Sequence, residues 1–282
     1  MVHKPTMLDG ALGTSLWSKT SDKSPVWMFN ITHPDLLAEH YKEMVAAGSQ
    51  FVYTNTFEAN RLALSHFSYG VQEVIEAGMK IAFEAAKPAA LPIALSIGPL
   101  PELLEPYGDL EEDECASIYR EMLDAAITGP YPPDCIIFET FMDLEMMRVA
   151  VQAAKPYGLP IWCSFTFEQA GRTMMGNSVE DIVTALEPEG VYALGMNCGL
   201  GPQAALPIMQ QYKAHTTLPL FAKPNAGKPK VSTGSDAAAC PYTAESFAQE
   251  MSALLPYVDY VGGCCGCDTS YIAALKKLID EA

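Results

Sequence analysis

Short apolar runs alternate with amphipathic segments along the chain, and there are eight such runs. Continuous apolar runs are typical of parallel strands that are buried on both faces. Between them, apolar residues recur three or four positions apart, as in Leu37, Tyr41 and Met44, which indicates helices that bury one face. The predicted strands are Thr6–Leu8, Gln50–Tyr53, Pro92–Ser96, Asp134–Phe138, Pro160–Ser164, Tyr192–Met196, Leu218–Ala222 and Tyr257–Val261.

Eight strand-then-helix units predict an α/β fold, a single (β/α)8 TIM barrel that spans residues 1–282. An open, doubly wound sheet is the alternative, but no Gly-x-Gly-x-x-Gly motif opens the first predicted helix. No linker, low-complexity tract or internal repeat divides the chain. The region from Asn60 to Ala86 is predicted to form one long helix or two short ones.

Composition and charge narrow the classes of function. The chain has 282 residues, of which 49% are hydrophobic and 18% are charged, as in ordinary globular proteins. Its formal net charge of −17 argues against general binding of nucleic acid or of anionic membranes. No run approaches the roughly 18 apolar residues of a membrane span, and residues 1–10 lack the apolar core of a signal peptide. We therefore expect a cytoplasmic protein.

Polar or reactive residues follow the predicted strands. In a (β/α)8 barrel the carboxyl ends of all eight strands meet on one face, where such enzymes keep their active sites. Residues that are far apart in the sequence are thereby brought together. The residues expected on this face include Asp9, Gly10, Glu139, Cys198, Asn225, Cys264 and Cys265.

Three cysteines are the most informative residues of this face. Cys264 and Cys265 are adjacent between glycines, and Cys198 ends the sixth predicted strand. Three thiolates suit a soft metal, above all zinc, and three protein ligands with one open position are the pattern of catalytic zinc. Such a site lowers the pKa of a fourth thiol and leaves its sulfur nucleophilic. This chemistry favours alkyl transfer to sulfur over peptide hydrolysis.

The other cysteines are predicted to have no part in this site. A disulfide framework is the alternative, but the chain is long, has no secretion signal and places most cysteines inside apolar runs. Cys115, Cys135, Cys163 and Cys240 are therefore interpreted as buried apolar fillers. The role of Cys267 is left open, because this residue lies near Cys264 and Cys265 in the sequence.

An amino-thiol substrate needs a carboxylate for its ammonium group and hydrogen-bond donors for its own carboxylate. Asp9 and Glu139 are predicted to bind the ammonium, and the backbone N–H groups of the turn from Gly10 to Thr14 are predicted to bind the carboxylate. The alternatives are a turn residue at Asp9 and a partner of a strand end at Glu139. Asn225 is either a turn former or a weak oxygen ligand to the metal when substrate is absent.

Together these segments resemble the homocysteine S-methyltransferase family, which includes the homocysteine-binding module of cobalamin-dependent methionine synthase. The resemblance spans nearly the whole chain and implies a (β/α)8 barrel that methylates homocysteine to methionine. It also implies zinc ligands at Cys198, Cys264 and Cys265, and homocysteine-binding acids at Asp9 and Glu139. The matching segments are Leu8-Asp-Gly-Ala-Leu-Gly-Thr14, Thr54-Asn-Thr-Phe-Glu-Ala-Asn-Arg61, Ser96-Ile-Gly-Pro99, Phe138-Glu-Thr140, Gly171-Arg-Thr173, Gly195-Met-Asn-Cys198, Pro224-Asn-Ala-Gly227 and Gly262-Gly-Cys-Cys-Gly266.

One segment departs from the family pattern. After Gly-Gly-Cys-Cys-Gly the family usually has Thr, then commonly a short polar residue and Pro, whereas this chain reads Cys267-Asp-Thr-Ser270. The change alters the loop and the start of the last helix. It bears on the preference for acceptor or donor, and the predicted zinc ligands are unaffected.

The methyl donor is expected to be a corrinoid, methylcobalamin, carried by a separate protein. The resemblance is greatest to the methionine synthase module, and we expect the predicted barrel to leave no residues for a corrinoid domain. The strand-end segments contain Phe57 and Phe141 but no cluster of Trp and Tyr, which favours an open mouth over an aromatic pocket for a small ammonium donor. The three tryptophans are expected to pack in the core or at the rim: Trp17, Trp27 and Trp162.

Other functions remain as alternatives. The donor of a homocysteine methyltransferase is in some cases S-methylmethionine, S-adenosylmethionine or betaine. A zinc-thiolate storage or redox protein would show a solvent-open cluster without a pocket for an amino acid. A non-catalytic subunit of a corrinoid complex would bind its partner protein without binding a thiol.

Overall fold

The computed structural model describes residues 4–226 and 242–281 and places eight parallel strands in one sheet. Each predicted apolar run overlaps one strand, so the predicted alternation of strands and helices is confirmed. The strands are β1 (Thr6–Met7), β2 (Val52–Tyr53), β3 (Ile93–Ile97), β4 (Cys135–Phe141), β5 (Ile161–Phe165), β6 (Ala193–Asn197), β7 (Leu220–Lys223) and β8 (Tyr260–Val261).

The sheet runs in the order β1-β8-β7-β6-β5-β4-β3-β2. Its two ends, β1 and β2, are bridged by Gln50. The Gln50 backbone N–H donates to the Met7 carbonyl at 2.9 Å, and the Gln50 side-chain Oε1 accepts from the Met7 N–H at 2.9 Å. The curled sheet thereby returns on itself, and the predicted (β/α)8 barrel is confirmed.

Helices follow the strands and surround the sheet. The region from Asn60 to Ala86 forms two helices, the first of which begins where the Asn60 side chain accepts from the N–H groups of Leu62 and Ala63. The helices are α1 (Gly13–Lys19), α2 (Phe29–Thr32), α3 (Pro34–Ala46), α4 (Arg61–Leu64), α5 (Val71–Ala86), α6 (Glu112–Ile127), α7 (Leu144–Ala154), α8 (Val179–Leu186), α9 (Pro202–His215), α10 (Ala244–Met251) and α11 (Thr269–Glu281). Short 3-10 turns add Val26–Met28, Lys87–Ala89, Lys155–Tyr157, Glu187–Glu189 and Leu255–Tyr257.

Within residues 4–226 and 242–281, none of these helices combines the length and the apolar composition needed to cross a membrane.

Apolar side chains form two layers, because successive residues of a strand point to opposite faces of the sheet. The larger layer lies between the strands and the helices. The smaller layer fills the barrel, so the interior is a packed core and not a channel. It consists of Leu8, Tyr53, Ala94, Cys135, Ile137, Trp162, Ala193 and Phe221.

The cysteines that were predicted to be apolar fillers are buried where the structure describes them. Cys115, Cys135 and Cys163 are all buried. Burial raises the pKa of Cys115 and of Cys135 to about 12, so both thiols stay protonated at neutral pH. Cys240 lies outside the described residues.

Candidate metal centre

Three cysteine sulfurs converge at the carboxyl end of the barrel. Cys198 follows β6, whereas Cys264 and Cys265 follow β8, and their Sγ atoms all lie within 4.8 Å of one another. The Sγ atoms of Cys198 and Cys265 are 3.8 Å apart. A tetrahedral zinc site with Zn–S bonds of 2.3 Å places its sulfurs about 3.8 Å apart. The three thiols therefore fit a zinc ion with small adjustments.

The backbone around these cysteines is held by bonds between neighbouring strand ends. The Cys198 N–H donates to the Lys223 carbonyl at 3.1 Å, and the Cys264 N–H donates to the Pro224 carbonyl at 2.8 Å. The Ala226 N–H donates to the Cys265 carbonyl at 3.0 Å. Cys198 itself has a φ of 60°, a left-handed conformation that is unfavourable for a residue with a side chain. Such strain recurs at functional sites, where the surrounding structure enforces it.

The Asn197 side chain holds together the strand ends that lie next to the three cysteines. Its side-chain oxygen accepts from the Thr140 N–H at 2.7 Å and from the Ser164 hydroxyl at 2.6 Å. Its Nδ2 donates to the Thr140 hydroxyl at 2.7 Å and faces the Cys264 sulfur at 3.8 Å. One buried amide thereby joins the ends of β4, β5 and β6. Asn197 was not among the predicted site residues, although its place at a strand end beside Cys198 was a signal.

The three thiols share charge before any metal binds. Hydrogen bonds from Cys264 and Cys265 lower the pKa of Cys198 to about 3. The hydrogen bond with Cys198 raises the pKa of Cys264 to about 11 and also raises that of Cys265. The three thiols therefore titrate as a coupled group, and a metal that binds all three must displace their remaining protons.

Asn225 lies beside the sulfurs. Its backbone N–H donates to the Leu200 carbonyl at 2.9 Å, and its side chain hydrogen-bonds to Cys198. Its Oδ1 is buried and has no hydrogen-bond partner among residues 4–226 and 242–281. A buried oxygen without a partner is costly, and a nearby cation would satisfy it. The role of Asn225 as a weak metal ligand stays a prediction. Gly227, the last residue of its motif, lies outside the described residues.

A buried lysine lies between the two predicted ammonium-binding acids. The Lys223 Nζ is 2.5 Å from Asp9 Oδ1 and 3.8 Å from Glu139 Oε2. It also lies 3.8 Å from the centroid of the Tyr53 ring. The Lys223 side chain is only 4% exposed. The other Glu139 oxygen, Oε1, accepts from the Ser96 hydroxyl at 2.6 Å.

Asp9, Glu139 and Lys223 shift one another's pKa. Burial raises the pKa of Asp9 to about 7, with Lys223 opposing the shift and Glu139 adding to it, and burial also raises the pKa of Glu139. Burial alone would lower the pKa of Lys223, but Asp9 and Glu139 hold it well above its ordinary value. Lys223 is thus a permanent internal cation.

Lys223 was not among the predicted site residues, although a single charged residue at the end of the apolar β7 run was a signal. The predicted binding of a substrate ammonium by Asp9 and Glu139 stays a prediction, and Lys223 competes for the same oxygens.

A cavity of about 310 Å³ opens beside the sulfurs. Asp9, Glu139 and Asn197 form a polar part of its wall, and the large rings of Trp17, Trp27 and Phe57 form an aromatic part. Trp17 and Trp27 were expected to pack in the core or at the rim, and they do contribute to packing, but they also give the cavity the aromatic surface that the strand-end segments lacked. Phe141 is buried, and Trp162 lies in the barrel core. The cavity is also lined by Gly10, Ala11, Leu12, Gly13, Thr14, Val26, Tyr53, Thr54, Asn55, Glu58, Ser96, Thr140, Cys198, Lys223, Cys264 and Cys265.

Residues 6–279 match the family model described as homocysteine S-methyltransferase. The chain belongs to the homocysteine S-methyltransferase family. It is 28% identical to a methionine synthase of Mycobacterium tuberculosis across 96% of this chain and 24% of that protein. A methionine synthase of Mycobacterium leprae shows the same identity and the same coverage. The chain therefore spans about a quarter of the length of these curated relatives.

Solved structures of the homocysteine methyltransferase MmuM from Escherichia coli share the fold of this family member. Its oxidized form has a TM-score of 0.81 and 20% identity, with 97% of this chain and 95% of that chain covered. Its metallated form has a TM-score of 0.80 and 21% identity, with 98% and 96% covered. The likeness confirms the barrel architecture.

The loop that departs from the family pattern buries its extra thiol. Cys267 is fully buried, and its Sγ lies 3.7 Å from the Pro224 carbonyl, to which the thiol donates. It is not one of the three cysteines whose sulfurs converge. Helix α11 begins two residues later at Thr269, without the usual proline. The extra thiol is therefore packed beneath the loop and adds no fourth sulfur to the cluster.

The turn after β1 contacts the loop after β8, which carries Cys264, Cys265 and Cys267. The Ala11 N–H donates to the Cys267 carbonyl at 2.8 Å, and the Thr14 hydroxyl accepts from the Gly266 N–H at 3.2 Å. A Cβ atom on Gly10 would lie 2.4 Å from the Cys267 carbonyl oxygen. Gly10 and Thr14 thus hold the loop in place. Their predicted contact with the substrate carboxylate stays a prediction.

We expect Gly10→Ala to lower the free energy of unfolding by about 1–3 kcal/mol, because the new methyl group must push backbone apart. Zinc content should fall as well, since the displaced loop carries two of the three thiols. Urea denaturation and metal analysis measure the two effects. Gly70→Ala is the control, because a Cβ at Gly70 meets no atom within 4 Å. Equal stability of the Gly10 and Gly70 variants would contradict the packing argument.

Proposed function

We propose that this chain is a zinc-dependent S-methyltransferase that converts homocysteine to methionine. The observation that carries the proposal is the convergence of three cysteine sulfurs within 4.8 Å on a cavity that also presents buried polar groups. Family membership supports homocysteine as the acceptor. The existence of a metallated form of the homocysteine methyltransferase MmuM supports a metal in this fold.

Five residues of the site have a role in this proposal. Cys198, Cys264 and Cys265 would hold the ion, and Asn225 would supply an oxygen until the acceptor thiol arrives. When bound, zinc lowers the pKa of that thiol and leaves its sulfur nucleophilic. Asn197 keeps the strand ends, and with them the sulfurs, in place. In the transfer, a bond forms between the acceptor sulfur and the methyl carbon while the bond from the donor to that carbon breaks, and the thiol proton leaves to solvent.

The proposed donor is methylcobalamin, presented by a corrinoid-carrying protein. The similarity to two methionine synthases over 96% of the chain supports it together with the resemblance of the sequence segments to the cobalamin-dependent enzyme. A small sulfonium or ammonium donor is the second candidate. Trp17, Trp27 and Phe57 favour it, because these aromatic residues line the cavity and an aromatic ring can attract a cation.

A zinc store or a redox sensor explains the site less well. Such a protein needs exposed thiols and has no use for a cavity. Here the three thiols are partly buried and adjoin a cavity of about 310 Å³, which is within the usual size range of small-molecule sites. The wall of this cavity also contains buried ion pairs of Lys223 with Asp9 and Glu139. Metal storage does not require such charged groups.

A donor-independent experiment tests the proposal. Homocysteine added to the zinc-loaded protein should bind with release of about one proton at neutral pH, because the unperturbed thiol has a pKa of about 8.5 and the bound thiol is ionised. Calorimetry in buffers of different ionisation enthalpy measures this proton. The metal-free protein is the control and should release none. Homocysteine binding that is equal with and without zinc would contradict the proposed function.

A further inference from the structure

Lys223 lies where the ammonium of an amino-acid substrate would be expected. An ammonium group that binds carboxylates donates short, charge-assisted hydrogen bonds and lies within ion-pair distance of them. The Lys223 Nζ already has this arrangement, at 2.5 Å from Asp9 Oδ1 and 3.8 Å from Glu139 Oε2. The ring of Tyr53 stands beside the same nitrogen at 3.8 Å.

Little net negative charge remains in the cavity to bind the ammonium group of a substrate. Asp9 and Glu139 bring at most two negative charges, and Lys223 neutralises one of them. Of the Glu139 oxygens, Oε1 is bound to Ser96 and Oε2 faces Lys223. A second ammonium in the cavity would meet the repulsion of Lys223 together with the attraction of the acids, so its net gain would be slight.

The lysine cannot readily move aside. Its side chain is 4% exposed, and it extends from the end of β7, a strand that pairs on both sides, with β6 and with β8. Releasing it from Asp9 would leave the buried cation with only Glu139, at 3.8 Å, as a charged partner, and a buried charge that loses a close partner is strongly destabilising. A substrate ammonium therefore has no inexpensive way to replace it.

We propose that Lys223 is a specificity-determining residue that fills the ammonium position, so that the site takes short thiol acceptors whether or not they carry an α-ammonium group. This inference rests on the proposed function and names its acceptor class. Asp9 and Glu139 then serve chiefly to hold Lys223. Homocysteine remains an acceptor, but its amino group contributes little to its affinity.

Two thiols that differ only in the amino group test the inference. 4-Mercaptobutyrate is homocysteine with hydrogen in place of the α-amino group. Titration calorimetry of the zinc-loaded wild-type protein should give Kd values for L-homocysteine and 4-mercaptobutyrate that differ by less than about tenfold, the smallest factor expected for a charge-assisted hydrogen bond. A wild-type preference for homocysteine of tenfold or more would overturn the inference.

Removing the lysine should restore recognition of the amino group. In Lys223→Met the preference for homocysteine over 4-mercaptobutyrate should rise at least about tenfold, because the acids lose their internal cation and the substrate ammonium can take its place beside them. The double variant Asp9→Asn with Lys223→Met removes one charge of each sign and keeps the measurement possible if the single variant does not fold. It should show the same direction of change through Glu139. An unchanged preference in the folded variant would overturn the inference.

Glu139→Gln separates the two roles of the carboxylate. If Glu139 holds Lys223, the Kd of both thiols should change by the same factor. A loss of affinity for homocysteine alone would show a direct contact with its ammonium and would overturn the inference while leaving the proposed function intact. If the zinc-loaded protein binds neither thiol, the proposed function fails and the inference fails with it.

Discussion

Cys264→Ala is expected to remove most of the zinc and to reduce methionine formation by more than about 100-fold, the upper end of the loss expected even for residues that only support a metal ligand. The sulfur of Cys264 lies with those of Cys198 and Cys265 inside one 4.8 Å cluster. Two remaining thiols do not complete the three-ligand pattern of catalytic zinc. Metal analysis of the purified variant and a methionine assay measure the two losses. The same result is expected for alanine at Cys198 and at Cys265.

Cys267→Ala is the matched control, since it removes a cysteine from the same loop. Its thiol is buried and contacts the Pro224 carbonyl, outside the cluster. We expect zinc near one ion per chain in this variant, with a modest loss of stability from the small cavity that is left. Full zinc occupancy in Cys264→Ala, or loss of zinc in Cys267→Ala, would show that the three-thiol assignment is incorrect.

Methionine formation with methylcobalamin is expected to exceed formation with betaine. The proposed donor, a corrinoid, needs a wide approach to the acceptor sulfur, and the resemblance of the sequence to the module of cobalamin-dependent methionine synthase favours it. The measurement is a screen of the zinc-loaded protein with homocysteine and four donors: methylcobalamin, S-methylmethionine, S-adenosylmethionine and betaine. The Cys264→Ala protein controls for transfer that does not depend on the site.

The aromatic residues of the cavity wall would explain the opposite result, which is turnover with a small cationic donor. Trp17, Trp27 and Phe57 line the space beside the sulfurs, and aromatic faces stabilise sulfonium and ammonium groups. Efficient turnover with S-methylmethionine or betaine, without a response to methylcobalamin, would replace the corrinoid with a small donor. Phe57→Leu should then raise the KM for that donor, whereas with methylcobalamin as donor it should have little effect. The three-thiol site is unaffected by either outcome.

The sequence determined the barrel because its signal is local. Apolar runs that alternate with helical stripes predict strands and helices one segment at a time, and eight repeats of the unit leave few topologies. All eight predicted runs overlap a strand. The cysteine site was predictable for a related reason. Once the strands are parallel, their carboxyl ends share one face, so Cys198 is expected on the same face as Cys264 and Cys265.

Only the tertiary structure showed which groups neutralise one another within that face. Lys223 is 214 residues from Asp9 in the sequence, and nothing local indicates that its ammonium lies between Asp9 and Glu139. The same holds for Asn197, whose amide joins three strand ends, and for Trp17 and Trp27, which line the cavity from outside the strand-end segments.

Sequence alone thus determined the fold and the three thiols of this protein, because short-range patterning and strand direction decide them. Only the tertiary structure decided that the buried Lys223 forms ion pairs with Asp9 and Glu139. Charge pairing depends on distances of a few ångströms between residues that only the packed barrel brings together, since Coulomb energy in a buried site changes steeply over such distances.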